Sequence, residues 1–128
     1  MNQDLYLLKK IQRKEQSKKR LLIDNSIISN NTFYKKLTKY EWFNTSKIVA
    51  SFLSIKSEIS TDALNQYLLS LGKILCLPII ENNEEILIFK RYSTGDELKK
   101  GKFGVKEPVN SQTYLPDIIF VPCLAFDE

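Results

Sequence analysis

The sequence predicts an α/β fold with a mostly parallel sheet, and three observations support this. Two apolar segments, residues 48–53 and 73–78, have the composition of buried strands. Between them, residues 64–71 place apolar side chains at helical spacing. A strand, a helix and a second strand form a βαβ unit, which requires parallel pairing and a right-handed crossover. With 128 residues, the chain has the size of one domain.

The first predicted element is a basic amphipathic helix from Leu5 to about Asp24. An apolar stripe is formed by Leu5, Leu8 and Ile11, and basic residues surround it: Lys9, Lys10, Arg13 and Lys14. The first 20 residues hold seven basic and two acidic groups, so the excess positive charge of the chain belongs to the N-terminus. Such a field favours a polyanion or a phosphate-bearing ligand. A solvated helix face is the alternative.

Capping residues predict the next two helices. The second, capped at residues 25–26, runs to about Glu41. The third is capped by Ser60 or Thr61, and Gly72 supplies its stop.

The C-terminal half is predicted to add strands and one long loop. Residues 86–89 indicate a third strand that pairs antiparallel with its predecessor, and residues 117–122 indicate the last strand. Residues 93–116, with three of the four glycines, predict a long surface loop of the kind that is usually functional or mobile. Cys76 and Cys123 lie in apolar runs and are predicted to be core thiols.

Composition excludes several classes of function. Without histidine and with two cysteines, the chain cannot build a histidine triad or a Cys/His zinc site. Asp117 and Asp127 have no second carboxylate at metal-ligand spacing, so the residues themselves predict no metal site, and there is no glycine-rich phosphate loop. The N-terminus lacks a signal-peptide pattern, and no segment approaches the ~20 apolar residues of a membrane span. We therefore expect a cytoplasmic protein without membrane contact.

Four residues are candidates for ligand binding. Lys9 and Arg13 stand at i and i+4 of a helix, a spacing that can hold a phosphate chain. Glu58 follows the first strand, where α/β folds bind ligands, and could accept hydrogen bonds from a heterocycle. A solvated loop acid or a helix N-terminal charge is the alternative. Phe103, framed by two glycines, suits a flap over a flat ligand or a hydrophobic anchor of the loop.

Five blocks span nearly the whole chain: Lys9-x-x-x-Arg13, Phe52-Leu53-Ser54-x-x-x-Glu58-Ile59-x-Thr61, Gly72-Lys73 leading to Leu77-Pro78, Phe103-Gly104-Val105-x-Glu107-Pro108, and Asp117-Ile118-Ile119-Phe120-Val121-Pro122-x-Leu124-Ala125-Phe126-Asp127. In this order and at this spacing they resemble the 5-formyltetrahydrofolate cyclo-ligase family, also called 5,10-methenyltetrahydrofolate synthetases.

The resemblance implies a three-layer α/β/α fold of the NagB, RpiA and CoA-transferase type, with residues 1–128 as a single, partial domain. It also implies a reaction with ATP and Mg²⁺ as cofactors. ATP phosphorylates the formyl oxygen of 5-formyltetrahydrofolate, N10 closes the ring, and phosphate leaves with 5,10-methenyltetrahydrofolate as the product. The protein would supply positioning and charge neutralisation, without a catalytic residue in the narrow sense.

Carried over by position, the resemblance assigns Lys9 and Arg13 to the ATP phosphates. It assigns Leu53 and Glu58 to the pterin end of the folate. Phe103, where relatives often have Trp, would lie in the loop over the substrate. These assignments require Arg13 and Glu58 to face one shared cavity.

Two departures from the family pattern affect this assignment. At Cys123 relatives commonly have Gly, and after Asp127 they continue into a glycine-rich segment that this chain lacks. That segment supplies phosphate-binding backbone N–H groups, much of the folate pocket and an acid associated with magnesium. The resemblance thus implies a C-terminally truncated chain that is weak or inactive unless a separately encoded C-terminal half is supplied. A natural truncation, a split gene and an incomplete coding segment all stay open.

Two rival hypotheses stand beside this one. The basic N-terminal helix could be a nucleic-acid-binding element on a non-catalytic scaffold, although it lacks the interleaved aromatic residues typical of such elements. The chain could also be an inactive remnant, with exposed strand edges and low stability.

Overall fold

A computed structural model describes residues 3–22, 33–55, 58–81, 86–101, 104–109 and 112–122. Its helices are α1 (Gln3–Leu21), a 3-10 helix (Phe33–Lys39), α2 (Glu41–Asn44) and α3 (Asp62–Ser70). Its strands are β1 (Ile48–Ala50), β2 (Ile74–Ile80), β3 (Leu87–Arg91), β4 (Leu98–Lys100), β5 (Lys106–Pro108), β6 (Thr113–Tyr114) and β7 (Ile118–Ile119).

The larger sheet has the strand order β6-β3-β2-β1-β7. β1 lies between β2 and β7 and pairs in parallel with both. β3 pairs antiparallel with β2 on one side and with β6 on the other. The parallel pairing of β1 and β2 across α3 confirms the predicted βαβ unit and the α/β fold class. The antiparallel pairing of the third strand is also confirmed.

The first strand is shorter than the predicted residues 48–53. It ends at Ala50, and the next amide, Ser51 N–H, makes a last bond of 2.9 Å to the Cys76 carbonyl of β2. The Phe52 carbonyl then accepts a bond from Thr61 instead of from a neighbouring strand. An apolar sequence therefore continues past the point where the chain has left the sheet.

The hydrophobic core lies between α3, the central strands and the 3-10 region. Its buried members come from α2, β1, α3 and β2: Phe43, Val49, Leu64, Leu68 and Leu75. Cys76 is fully buried beside them, as predicted, and burial raises the pKa of its thiol to about 11, with a smaller opposing effect of Arg91. Cys123 lies outside the described residues.

The predicted second helix is borne out only in part over residues 33–41, because it is not one continuous α-helix. Residues 33–39 form a 3-10 helix, Tyr40 is extended with φ −104° and ψ 126°, and α2 begins only at Glu41. The extended Tyr40 interrupts the helical ladder, and the Asn44 side-chain amide donates to the Thr38 carbonyl at 2.7 Å. The predicted start of this helix, at residues 25–26, lies outside the described residues.

The predicted long loop at residues 93–116 is also wrong in part, because it contains three short strands. β4 and β5 pair antiparallel as a separate two-stranded sheet, and β6 extends the main sheet. The Gly101 N–H donates to the Val105 carbonyl at 2.8 Å, and Gly104 has a φ of 75°. Four of the six side chains of β4 and β5 are charged, so these two strands show none of the apolar alternation from which strands are predicted.

The basic helix predicted from Leu5 to about Asp24 is found as α1 (Gln3–Leu21), and none of its residues is buried; Asp24 lies outside the described residues. Its apolar stripe, Leu5, Leu8 and Ile11, is about half exposed. None of the helices in the described ranges combines the length and apolar character that a membrane span needs.

Candidate ligand site

The carboxyl ends of the parallel strands β1, β2 and β7 point to one edge of the sheet. Ligands of α/β folds bind outside this edge, on the loops that follow the strands. The segment of residues 51–61 leaves β1 there and leads into α3, and Phe120 follows β7 at the same edge. The candidate site is therefore the loop that contains Leu53 and Glu58.

Glu58 is half-buried and is oriented by its own loop. Its Oε1 accepts a bond from the Ile55 N–H at 2.8 Å, and its N–H donates to the Ile55 carbonyl at 3.1 Å. In the described part of the chain the other carboxylate oxygen, Oε2, has no hydrogen-bond partner. The carboxylate is thus held in one direction while one oxygen can still accept a bond from a ligand N–H.

Two hydroxyl side chains hold the base of this loop. Thr61, buried with 3% exposure, donates from its hydroxyl to the Phe52 carbonyl at 2.5 Å. The Thr61 N–H donates to Ser54 Oγ at 3.1 Å, and the Ser54 hydroxyl donates in turn to the Ile59 carbonyl. Thr61 precedes α3 as predicted, but its side chain makes no capping bond to that helix. Of the two predicted caps, Ser60 Oγ accepts the N–H of Asp62, the first residue of α3, at 3.3 Å, whereas Thr61 holds the loop of residues 51–61.

The second group of candidates lines a cavity on α1. This cavity has a volume of about 450 Å³, and its described lining residues are Tyr6, Lys9, Lys10 and Arg13. They stand at i, i+3, i+4 and i+7, so they share one helix face. Three cationic groups around one cavity can bind an anion with several oxygens, and the arginine can do so through two parallel bonds.

The structure brings Lys9 and Arg13 to the same cavity, and it places Leu53 and Glu58 on the same loop. It does not bring the two pairs together within the described residues, because the described residues that line the cavity all belong to α1. Their convergence on one ligand stays a prediction. Phe103, like Asp127, lies outside the described residues.

Metal ligands are not assembled in the described ranges. No group of three or more His, Cys, Asp or Glu side chains comes together there. The described side chains therefore do not fit a magnesium ion held by the protein alone.

Asp117 and Lys73 lie at the opposite, amino-terminal edge of the strands. Asp117 Oδ2 accepts bonds from the Lys47 and Ile48 N–H groups at 2.9 and 3.0 Å, and these two bonds lower the pKa of its carboxyl. Lys73 Nζ donates to the Phe43 and Ser46 carbonyls at 2.8 and 2.7 Å. Both residues organise the start of β1, at the edge of the sheet opposite to the candidate site.

Comparison with known proteins gives consistent matches. The model of the 5-formyltetrahydrofolate cyclo-ligase family matches residues 7–128. The 5-formyltetrahydrofolate cyclo-ligase of Haemophilus influenzae is 39% identical over 88 residues, which are 64% of this chain and 47% of that protein. The NMR structure of Aquifex aeolicus 5,10-methenyltetrahydrofolate synthetase matches with a TM-score of 0.76 and 32% identity, over 94% of this chain and 63% of that one.

This chain thus spans about half of the Haemophilus protein and under two thirds of the Aquifex chain. Within that span, the family match covers all of the described strands and most of α1, including Lys9, Lys10 and Arg13 of the cavity and the loop that contains Glu58. On this match, the chain belongs to the 5-formyltetrahydrofolate cyclo-ligase family.

Proposed function

We propose that this chain takes part in the ATP-dependent cyclisation of 5-formyltetrahydrofolate to 5,10-methenyltetrahydrofolate, with release of ADP and phosphate. The observation that supports it most directly is the cavity on α1, where Lys9 and Arg13 lie on one wall. Family membership supplies the substrate class, and the cavity supplies a place for the phosphates of ATP.

The reaction has two steps. The formyl oxygen attacks the terminal phosphorus of ATP and ADP leaves. N10 then attacks the formyl carbon and loses its proton to solvent, and phosphate leaves with the former formyl oxygen. Negative charge builds up on the phosphates during the first step, so cations held against them lower its barrier. In this proposal Lys9 and Arg13 bind and orient the phosphates.

The folate side of the site is assigned to the loop after β1. Glu58 Oε2 would accept a bond from the amino or ring N–H groups of the pterin, while Oε1 stays bonded to Ile55. The half-buried Leu53 would contact the flat ring, and Phe103 would cover that ring, as the family resemblance implies. These roles make the protein a positioning catalyst.

Magnesium would enter with ATP. Mg²⁺ is commonly bound through substrate phosphates and water with only one or two carboxylates. The residues 1–128 are proposed as a single, partial domain of the cyclo-ligase fold, and turnover is proposed to require the remaining part of that fold.

An ATP titration followed by NMR tests the phosphate assignment. The amides of residues 9–13 should shift on addition of ATP, and Lys9→Gln should weaken the affinity about tenfold because a charge-assisted bond is lost. Lys18→Gln removes the same charge nine residues along α1, on its opposite side, and should leave the affinity unchanged. Equal loss in both variants would show nonspecific attraction and overturn the assignment.

A second experiment tests the reaction itself. ATP consumption that depends on 5-formyltetrahydrofolate is measured for the chain alone and together with the part of the Aquifex synthetase that has no counterpart here. We expect turnover only in the mixture. Absence of turnover in both samples contradicts the enzymatic proposal.

A further inference from the structure

Two buried polar side chains beside the candidate site each have an atom without a hydrogen-bond partner. Ser51 is 1% exposed and Asn65 is 4% exposed. In the described part of the chain, neither Ser51 Oγ nor Asn65 Oδ1 makes a hydrogen bond. Buried polar atoms in native proteins almost always have a partner, because an unpaired one keeps its full desolvation cost. These two atoms therefore indicate a partner that the protein itself does not supply.

The two side chains lie on the same face of the sheet. Ser51 continues β1 by one backbone bond, so by alternation its side chain lies on the face of Val49. Val49 belongs to the same core cluster as Leu68 of α3. Asn65, in the same helix, donates at 3.3 Å to the carbonyl of Phe52, the residue directly after Ser51. Both unpaired atoms thus lie between the end of β1 and α3.

The bonds of Asn65 determine which kind of partner its oxygen needs. Its Nδ2 carries two hydrogens and donates to the Phe52 carbonyl at 3.3 Å and to Thr61 Oγ1 at 3.4 Å. These two acceptors fix the orientation of the amide and use its donors. The remaining atom, Oδ1, can only accept, so its partner must be a donor. Within the described ranges the Ser51 hydroxyl does not fill this role, because it makes no bond of its own.

A water molecule meets these requirements. It can donate to Asn65 Oδ1 and also bond Ser51 Oγ, and buried waters typically bond polar groups that are otherwise unsatisfied. An ammonium ion fits less well, because neither side chain carries a charge that would offset its burial. We propose that Ser51 and Asn65 bind one buried water molecule, which joins the end of β1 to α3.

This water would lie where the candidate ligand loop is anchored. Ser51 is the first residue of the loop of residues 51–61, and Asn65 bonds Phe52 and Thr61 near its two ends. A further bond between the strand and the helix restricts the path of the loop that carries Glu58. The inference rests on burial and bonding, and it does not depend on ATP or folate binding.

Oxygen-17 magnetic relaxation dispersion tests the proposal on the full chain, because it counts waters that stay bound while the protein tumbles. We expect Ser51→Ala to hold one long-lived water fewer than the wild type. Exchange of the Ile55 amide, which bonds Glu58, should become faster. Ser46→Ala is the control and should keep the wild-type count, because the buried Ser46 hydroxyl already donates to the Phe43 carbonyl at 2.6 Å. An unchanged count in Ser51→Ala, or an equal fall in both variants, overturns the water site, and an unchanged Ile55 rate overturns its role in the loop.

A double-mutant cycle in urea tests whether the two side chains share this water. Ser51→Ala should raise the equilibrium constant of unfolding about fivefold in the wild-type chain, as expected for the loss of one hydrogen bond. In the Asn65→Leu background the same substitution should change this constant less than about twofold, because the water has already lost its acceptor. Ser46→Ala should have the same effect in both backgrounds. Equal effects of Ser51→Ala in both backgrounds, or a more stable Ser51→Ala chain, contradict the shared water. If Asn65→Leu does not fold, the water count of Ser51→Ala decides alone.

Discussion

At the scale of single residues, Asp117 determines where two parallel strands begin. Its carboxylate accepts the Lys47 and Ile48 N–H groups, and its own N–H donates to the Ile48 carbonyl at 2.8 Å. The residue just before β7 thereby holds the first residue of β1. This fixes the register in which Val49 pairs with Ile118.

Asp117→Asn should reduce stability near neutral pH and flatten its dependence on acid. The pKa of Asp117 is lowered from its ordinary value of 3.8 by the two backbone bonds. A carboxyl with a lowered folded pKa stabilises the protein above 3.8, and this contribution is lost as the pH falls below 3.8 and through the folded pKa. The slope of stability against pH is measured from thermal midpoints taken about every half pH unit between pH 5 and pH 2.5. Glu97→Gln, at an exposed site, should keep the wild-type slope.

Lys73 is a second residue whose side chain makes hydrogen bonds to backbone groups around it. Its ammonium bonds two carbonyls and Ser46 Oγ, and it lies 4.6 Å from the centre of the Phe43 ring. Burial lowers the pKa of Lys73, and the nearby Asp117 partly opposes that.

Replacing Lys73 with Met retains the aliphatic stem and removes the donors. The free energy of unfolding should fall by about 1–3 kcal/mol, because two acceptors lose a charged partner. Urea denaturation measures this free energy of unfolding. The same substitution at the exposed Lys99 should change it by less than about 0.5 kcal/mol, and a similar loss at both sites would contradict the bonding argument.

At the scale of elements, the loop after β1 depends on Thr61 more than on any helix cap. Thr61→Val should cost about 1–2 kcal/mol, since the buried hydroxyl bond to Phe52 is lost. Exchange of the Ile55 amide, which bonds Glu58, should become faster. Thr45→Val is the control: it removes a comparable bond to the Glu41 carbonyl at an exposed site. An unchanged exchange rate of the Ile55 amide in Thr61→Val would show that contacts other than the Thr61 hydroxyl hold the loop.

In the β4–β5 hairpin, the glycine at position 101 leaves room for the Glu107 side chain. A Cβ there would lie 2.1 Å from Oε1 of the buried Glu107. Gly101→Ala should therefore be destabilising, and Glu107→Ala should relieve it, with a coupling free energy of about 1–2 kcal/mol in a double-mutant cycle. Gly95→Ala is the control. Its Cβ would be strained by the φ of 91° but would contact no neighbouring atom, so its effect should add to that of Glu107→Ala without coupling.

Elements with clear apolar periodicity could be predicted, and polar ones could not. α3 and β2 were predictable because their side chains pack into the core at helical spacing or as a continuous apolar run. β4 and β5 were not, since their pairing depends on backbone bonds and on the space at Gly101. The end of β1 was also hidden, because Phe52 and Leu53 are as apolar as the strand itself.

At the scale of the whole molecule, most of the stability comes from the core against which α3 packs. Leu68 in α3 is fully buried, whereas Leu8 in α1 is 52% exposed. Leu68→Ala should lower the free energy of unfolding by about 2–5 kcal/mol, and Leu8→Ala should change it by less than about 1 kcal/mol. Denaturant titrations of the two variants provide the comparison. A large loss in Leu8→Ala would show that α1 is packed in solution.

The candidate site was predictable in parts. The i, i+4 spacing of Lys9 and Arg13 identifies a shared helix face, and the structure places both on one cavity. The position of Glu58 after β1 follows from the βαβ pattern. Its orientation by Ile55 could not be predicted, because it depends on the backbone path of a turn. The distance between the two halves of the site depends on long-range packing that no local pattern encodes.

Pro78 allows β1 to end early without leaving an unpaired N–H at that position of β2. β1 pairs with β2 only from Ile74 to Cys76, and Pro78 pairs with Phe89 of β3. The Cys76 carbonyl points to the β1 side, so in an extended strand the nitrogen of Pro78 points there as well. A proline nitrogen carries no hydrogen, so the flank that β1 vacates has no orphaned donor at this position. Any other residue at position 78 would present an amide there that calls for a partner.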